Sequence, residues 1–358
     1  MRQGKVVIFT APGTPLQILT EPIPDPLPTE LLVRVSLAGV CGSDTHRLSG
    51  DIPASPNPIN FGHEGCGVIV ALGSSLTADR AGTPIAPGDR IYWAPSTPCG
   101  VCSACESSNP MYCASLNWPP PAGTPNSAAY KQFATLTSKH IFYRVPDKTP
   151  LEAVIAFGCA MPTALRGFGK LGGVGKEVVI QGSGPVGLAA TVLAKLGGAE
   201  RIIVIGDPVN RLDAAQKLGA TDTLSVSGTT AAERAERIKE LTGGRGATTV
   251  IEAAGVAAAF PEGFNLLGMN GRYLIMGLYS GKAAAMIDPV RINNFNLQII
   301  GSLGIEPENY WKNVEIASEH GERLGFANLI THRFGLDDIE EAIGTVGRLE
   351  AIKTVVTP

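Results

Sequence analysis

Long hydrophobic runs are missing from this 358-residue sequence. No uninterrupted apolar stretch approaches the eighteen or so residues that span a bilayer. Met1 to Ala11 lacks the basic start and apolar centre of a secretory leader and reads as an ordinary first strand. A strong charge of either sign is missing too. Lys and Arg total 29 against 32 Asp and Glu, a net charge of −3, so electrostatics gives no case for nucleic acid or a membrane surface as partner. Charged residues make up only 17% of the chain and hydrophobic ones 44%, which excludes a disordered polyelectrolyte and fits compact folding. The length suffices for two domains, each with its own core. There is no internal repeat and no low-complexity tract, although Pro119 to Pro121 marks a stiff loop. The default expectation is a cytoplasmic protein.

Cysteine is present in an informative arrangement. The seven are odd in number and unevenly placed, so metal-bound thiolates in a reducing compartment are a stronger reading than disulfides. Cys99, Cys102, Cys105 and Cys113 follow one another with gaps of two, two and seven residues, which lets one short loop turn four sulfurs to a common centre. That is the pattern of a closed, structural zinc site. Upstream, Cys41 and the pair His63-Glu64 read as the start of an open, catalytic one. Cys66, in the run Gly65 to Ile69, reads as a small buried thiol.

The texture changes along the chain. The first 150 or so residues are rich in Pro and Gly and carry short β-type runs such as Lys5 to Phe9, Leu31 to Leu37 and Gly67 to Leu72, the mark of an irregular all-β domain. From about Gly158, strand-like runs alternate with Ala-rich helical ones. Lys176 to Gln181 reads as a strand, Pro185 to Leu196 as a helix, Arg201 to Ile205 as a strand and Arg211 to Leu218 as a helix; strands follow at Thr249 to Ala253 and Arg272 to Met276. Such βαβ alternation predicts a doubly wound parallel sheet. The rhythm breaks near Gly301, and the last fifty-odd residues are expected to rejoin the first domain.

Gly182-Ser183-Gly184-Pro185-Val186-Gly187 is a GxGxxG sequence directly between a predicted strand and helix, the context that a dinucleotide-binding turn requires. Its glycines allow a tight turn and close approach of a pyrophosphate, and the helix start offers free N–H groups. Asp207, just after the second strand, could accept from adenosine ribose hydroxyls and repel a 2′-phosphate, with Arg211 four residues on. The plainer role for Asp207 is a helix N-cap ahead of Pro208. NAD is the expected cofactor, with NADP left open.

Taken together, these residues resemble the zinc-dependent medium-chain alcohol dehydrogenases over essentially the whole chain. The matching pieces are Gly39-Val40-Cys41-Gly42-Ser43-Asp44, Gly62-His63-Glu64-Gly65, the four-cysteine lobe, Gly158-Cys159 and Gly182 to Gly187. The resemblance implies a GroES-like β domain over 1–158 with the structural zinc lobe at about 95–115, a Rossmann domain over 159–303, and a return of 304–358 to the first domain, with the active site in the cleft between them. It implies two zinc ions per chain, the catalytic one held by Cys41, His63 and Cys159. It further implies Glu64 beside that metal, Ser43 and His46 as a proton relay, Thr163 under the nicotinamide, and Lys353 as a basic contact to the cofactor phosphates. Gly206 stands where NAD-using relatives usually carry an acid, and Gly42 where some members carry a phosphate-binding Arg.

The function so implied is hydride transfer between NAD and an alcohol, apolar and secondary or cyclic, giving the aldehyde or ketone. The run Phe157 to Thr163 has a faint similarity to dehydrogenases of bulky cyclic alcohols. Rival readings are a polyol or amino-alcohol dehydrogenase of the same family, a non-catalytic zinc- and nucleotide-binding protein with the same fold, or a zinc-free reductase. Trp93, Trp118 and Met161 read as core residues in isolation and as substrate walls by their place near the metal motifs. His140, His320 and His332 lack metal-like neighbours. The apolar run Asn296 to Leu303 is expected as an edge strand joining a second subunit in a homodimer or homotetramer.

Overall fold

The structure is a computed structural model that describes residues 2–53, 55–107, 109–117, 120–122, 126–279 and 284–358. Of the residues singled out above, Met1, Trp118 and Pro119 lie outside that range. The chain forms two compact units: Met1–Pro162 with Ile305–Pro358, and Thr163–Gly304.

In the first unit, alternating and bulged strands build two sheets. Strands β1 (Arg2–Phe9), β2 (Gln17–Ile23) and β4 (Ile59–Asn60) form a three-stranded sheet in the order β2-β1-β4. A seven-stranded sheet uses β3 (Glu30–Val40), β5 (Gly65–Leu72), β6 (Arg90–Trp93), β7 (Phe133–Thr137), β8 (Phe142–Arg144), β15 (Ile330–Gly335) and β16 (Lys353–Thr357). Its long central strand β3 pairs with β5, β7 and β16, and the register slips twice against β5, which bends the strand. The expected return of the C-terminus is therefore a strand pairing: Thr354 lies opposite Val40, one residue before Cys41. Val7, Leu31, Val33, Ile91, Tyr130 and Val356 sit in its core with essentially no exposure.

The second unit is a single six-stranded parallel sheet in the order β11-β10-β9-β12-β13-β14. Its strands are β9 (Glu177–Gln181), β10 (Arg201–Gly206), β11 (Asp222–Ser225), β12 (Ala247–Glu252), β13 (Leu267–Ile275) and β14 (Gln298–Gly301). Chain order reverses between β9 and β12, the arrangement of a Rossmann sheet. Val178, Val179 and Ile180 are all fully buried, as a parallel strand covered on both faces must be. The helix after β9 runs Pro185–Leu196, with Pro185 in its first turn, as expected. Strand β13 starts earlier than the apolar run suggested, because Leu267 already pairs with Ala247 across a register shift.

The boundary between units falls at Pro162/Thr163, four residues later than position 158. Local bonding gives the reason: the Gly158 carbonyl accepts from Tyr92 Oη at 2.7 Å, and the Cys159 N–H donates to Glu64 Oε1 at 3.1 Å, so both belong to the first unit.

Candidate catalytic metal centre and nucleotide cradle

Strand β3 ends at Val40 and the chain turns at Cys41 into a short helix, α1 (Gly42–Leu48). Asp44, in the first turn, accepts from the Cys41 N–H at 3.0 Å, which fixes the helix start and the direction of the thiol. His63 and Glu64 lie between β4 and β5, and Cys159 precedes the helix Ala160–Leu171. Ligand atoms of Cys41, His63, Glu64 and Cys159 all come within 4.8 Å of one another. The two sulfurs are 3.5 Å apart. Zinc–sulfur bonds of about 2.3 Å at tetrahedral angles require roughly 3.8 Å between sulfurs, so the pair is spaced for an ion. A disulfide would need about 2.05 Å, and none of the seven cysteines is in a disulfide.

The electrostatics suit a metal. The Cys159 thiol, hydrogen-bonded to Cys41, brings Cys41 well below the ordinary thiol range against the opposing effect of burial, while Cys159 is pushed up by the same bond and by burial. Burial by itself would lower His63, but Asp44 and Cys41 together outweigh it and the net direction is upward. Asp44 Oδ1 stands 3.1 Å from His63 Nδ1, so the ring presents Nε2 towards the site, where Ser43 Oγ is 3.3 Å away. Asp44 Oδ2 accepts from Tyr130 Oη at 2.7 Å. Asp44 and Tyr130 are thus part of the site although neither was assigned a role above. An acid three residues after a candidate ligand Cys was the available signal.

Glu64 lies within the cluster, and Lys353, expected above as a contact to the cofactor phosphates, lies against Glu64. Its ammonium is buried, 2% exposed, and donates to Glu64 Oε2 and to the Val40 carbonyl at 3.2 Å. The strand pairing of β16 with β3 carries it there. Burial alone would lower the Lys353 pKa; Glu64 with Cys41 and Cys159 together outweigh this and raise it. Space for the pair depends on missing side chains: a Cβ on Gly39 or on Gly158 would stand 2.0 Å from Glu64 Oε2. His46 lies one turn beyond Ser43 on α1, partly exposed, with Nδ1 3.3 Å from Asp51 Oδ2. Trp93 and Met161 are packed as core residues, 1% and 0% exposed. His140 is buried, and among the described residues His320 meets Glu319 and Arg323 and His332 meets Thr331, none of them a metal-like cluster.

The other four cysteines also converge within 4.8 Å. One helical turn, Ser103–Glu106, brings Cys102 and Cys105 to a sulfur separation of 3.6 Å; Cys99 and Cys105 are 3.9 Å apart, and Cys113 Sγ accepts from the Cys99 N–H at 3.3 Å. Both separations match the tetrahedral spacing above. The Cys105 backbone amide draws the Cys102 thiol down to about 6. Donor set and spacing fit a closed zinc site.

In the second unit the glycine turn has the shape a pyrophosphate needs. Gly182 has φ +106° and a Cβ there would be 2.8 Å from the Ala253 carbonyl carbon, while a Cβ on Gly187 would be 1.8 Å from the Gly182 oxygen. A Cβ on Gly184, by contrast, would meet open space, at the start of the helix that opens with Pro185 and Val186. The residues fit a dinucleotide. Thr163 and Arg211 fall in this unit, half-buried and buried respectively. Asp207 is not a helix cap: that helix, Val209–Leu218, is preceded by Pro208. Its carboxylate instead accepts from Ser225 Oγ at 2.8 Å, Ser227 N–H at 2.7 Å and Ser227 Oγ at 3.2 Å. Glycine at 206 also has a local cause, since a Cβ there would be 2.4 Å from Ser183 Oγ.

Known proteins are similar throughout. A family model described as alcohol dehydrogenase GroES-like domain matches residues 27–147, and one described as zinc-binding dehydrogenase matches 185–319. The 5-exo-hydroxycamphor dehydrogenase of Pseudomonas putida is 44% identical over 337 residues, covering 94% of this chain and 93% of the relative. The crystal structure of an alcohol dehydrogenase from Thermotoga maritima superposes with a TM-score of 0.92 at 31% identity over 100% of both chains. A putative zinc-binding dehydrogenase from Sinorhizobium meliloti, bound to NADP, does so with 0.85 at 27% identity, again over 100% of both chains. With a GroES-like β unit and a Rossmann-type unit, the chain belongs to the zinc-dependent medium-chain alcohol dehydrogenase family, a family of oxidoreductases.

Proposed function

We propose that this protein oxidises an apolar cyclic secondary alcohol to its ketone with NAD, and catalyses the reverse reduction. The observation that carries the reading is the convergence of Cys41, His63 and Cys159 with Ser43 and Asp44 around them. Cys41, His63 and Cys159 would hold the catalytic ion and the four-cysteine lobe a second. When bound, zinc supplies a Lewis acid for the alcohol oxygen and NAD the hydride acceptor.

The chain's own residues would do the rest. Asp44 keeps the proton on His63 Nδ1, which leaves Nε2 with its lone pair for the metal. Tyr130 and the Cys41 N–H hold the Asp44 carboxylate in place. Ser43 Oγ would accept the substrate hydroxyl proton while giving up its own towards solvent, and His46, on the same helix with its side chain 37% exposed and its ring held on Asp51, would be the group that takes up that proton and hands it to water. Asp207, at the end of β10, disfavours a 2′-phosphate and so favours NAD over NADP. The substrate class rests on the similarity to a hydroxycamphor dehydrogenase and on the Phe157 to Thr163 run. Strand β14 lies at the edge of its sheet with Ile299 39% exposed, which supports strand pairing with a second copy and an even-numbered homo-oligomer.

The test is a panel of alcohols with NAD, followed by the absorbance of the reduced cofactor. Bicyclic secondary alcohols should have the highest kcat/KM. A preference for sorbitol or threonine over every cyclic alcohol would overturn the substrate class, and turnover with none would overturn the activity.

A further inference from the structure

Glu252 is the last residue of β12, the strand beside β9 at the point where the sheet order reverses. In open α/β sheets a ligand sits at the carboxyl ends of the strands beside such a reversal. The side chain is 0% exposed. Its Oε1 accepts from two consecutive backbone amides, Ala254 and Gly255, each at 2.7 Å. Its carbonyl accepts from Met276 N–H at 2.8 Å and Gly277 N–H at 3.1 Å, which ties the loop after β13 to the same point. The packing around it is tight. A Cβ on Gly277 would be 2.3 Å from Oε2, one on Gly255 (φ +70°) 2.6 Å from the Leu278 oxygen, and one on Gly182 2.8 Å from Ala254 N. Glu252 therefore holds residues 253–255 against the glycine turn of the nucleotide cradle.

Stability alone is a poor reason for this carboxylate. Oε2 is buried and makes no hydrogen bond of good geometry among the described residues; it faces the equally buried Tyr279 hydroxyl, whose pKa burial and this carboxylate together push up. A buried carboxyl oxygen left unsatisfied costs free energy that an apolar side chain would not. Two consecutive amides aimed inward, however, can be held only by an acceptor. We propose that Glu252 is a positioning residue for the nucleotide crevice: it fixes the 253–255 wall, so that cofactor affinity depends on its Oε1. This rests on the nucleotide-binding reading above.

The experiment titrates NADH into the full-length zinc-loaded protein and its Glu252→Gln, Glu252→Asp and Glu252→Ala variants by fluorescence, alongside zinc content and steady-state kinetics. The Gln variant keeps a carbonyl oxygen for both amides and should bind NADH within about twofold of the parent. The Asp variant is one methylene too short to reach both, and it and the Ala variant should bind roughly tenfold or more weakly. KM for NAD should rise with the Kd, while kcat at saturating NAD and zinc content change far less. A merely structural role would lower the melting temperature of all three without separating Gln from Asp in affinity. Parent-like affinity in the Asp or Ala variant, or equal loss in Gln and Asp, overturns the inference; if the Ala variant does not fold, the Gln–Asp comparison decides. A parent protein that binds neither NADH nor NADPH would overturn the functional reading and this inference with it.

Discussion

Replacing Lys353 by Met tests the buried pair with Glu64 directly. Both side chains are 1% exposed, the ammonium has Glu64 and the Val40 carbonyl as acceptors, and the carboxylate fills space that a side chain at Gly39 or Gly158 would take. Removing one member of such a pair leaves an uncompensated buried charge, a loss of about 3–5 kcal/mol. For a unit of this size that corresponds to a melting point lower by roughly 10 °C. A methionine fills nearly the same volume, so the loss is electrostatic rather than a cavity. The double variant Lys353→Met/Glu64→Gln should recover most of it, because an amide is far less costly to bury than a carboxylate. Thermal and urea unfolding of the parent, both single variants and the double variant give the coupling by a double-mutant cycle. If Lys353→Met melts within about 1 °C of the parent while its Kd for NADH rises tenfold, Lys353 is a phosphate contact after all and the reasoning from burial fails.

Other outcomes follow from the same geometry. Burial pulls His140 down to about 4, so it stays neutral in the fold at pH values where the unfolded chain, at about 6.5, takes up a proton. Stability is unaffected above about pH 6.5 and falls by up to about 3 kcal/mol as pH drops towards 4. The urea midpoint of His140→Gln should lack that component, and an identical pH profile for both proteins contradicts it. Metal analysis should give two zinc ions per chain and one in Cys41→Ala; none in that variant would mean that the four-cysteine lobe is not an independent site. Ser43→Ala should lower kcat by roughly a hundredfold with cofactor affinity little changed, and unaltered turnover removes Ser43 from proton transfer. The parent should favour NAD over NADP in kcat/KM, and Asp207→Ser should shrink that ratio by roughly tenfold. A parent that prefers NADP shows that Asp207 serves only to hold Ser225 and Ser227.

Local patterns in the sequence determined a great deal about this protein. Cysteine gaps that fit one turn and one loop, a GxGxxG between strand and helix, and the change from β-rich to alternating texture are all short-range features. Their geometry follows from chain stereochemistry whatever the distant residues do. The helix Pro185–Leu196 and the strand core Val178 to Ile180 were legible for this reason. What tertiary structure alone decided lies between residues far apart in the chain. Lys353 reaches Glu64 across 289 positions because β16 pairs with β3, and no local pattern encodes that register. Asp207 meets Ser225 and Ser227 rather than capping a helix because adjacent parallel strands bring their ends together. Asp44 could be read as a helix-start acid, but only packing of the loop before β5 against α1 makes it the partner of His63. A charged side chain takes the role of whichever group it meets when water is removed, and that meeting is a property of the fold.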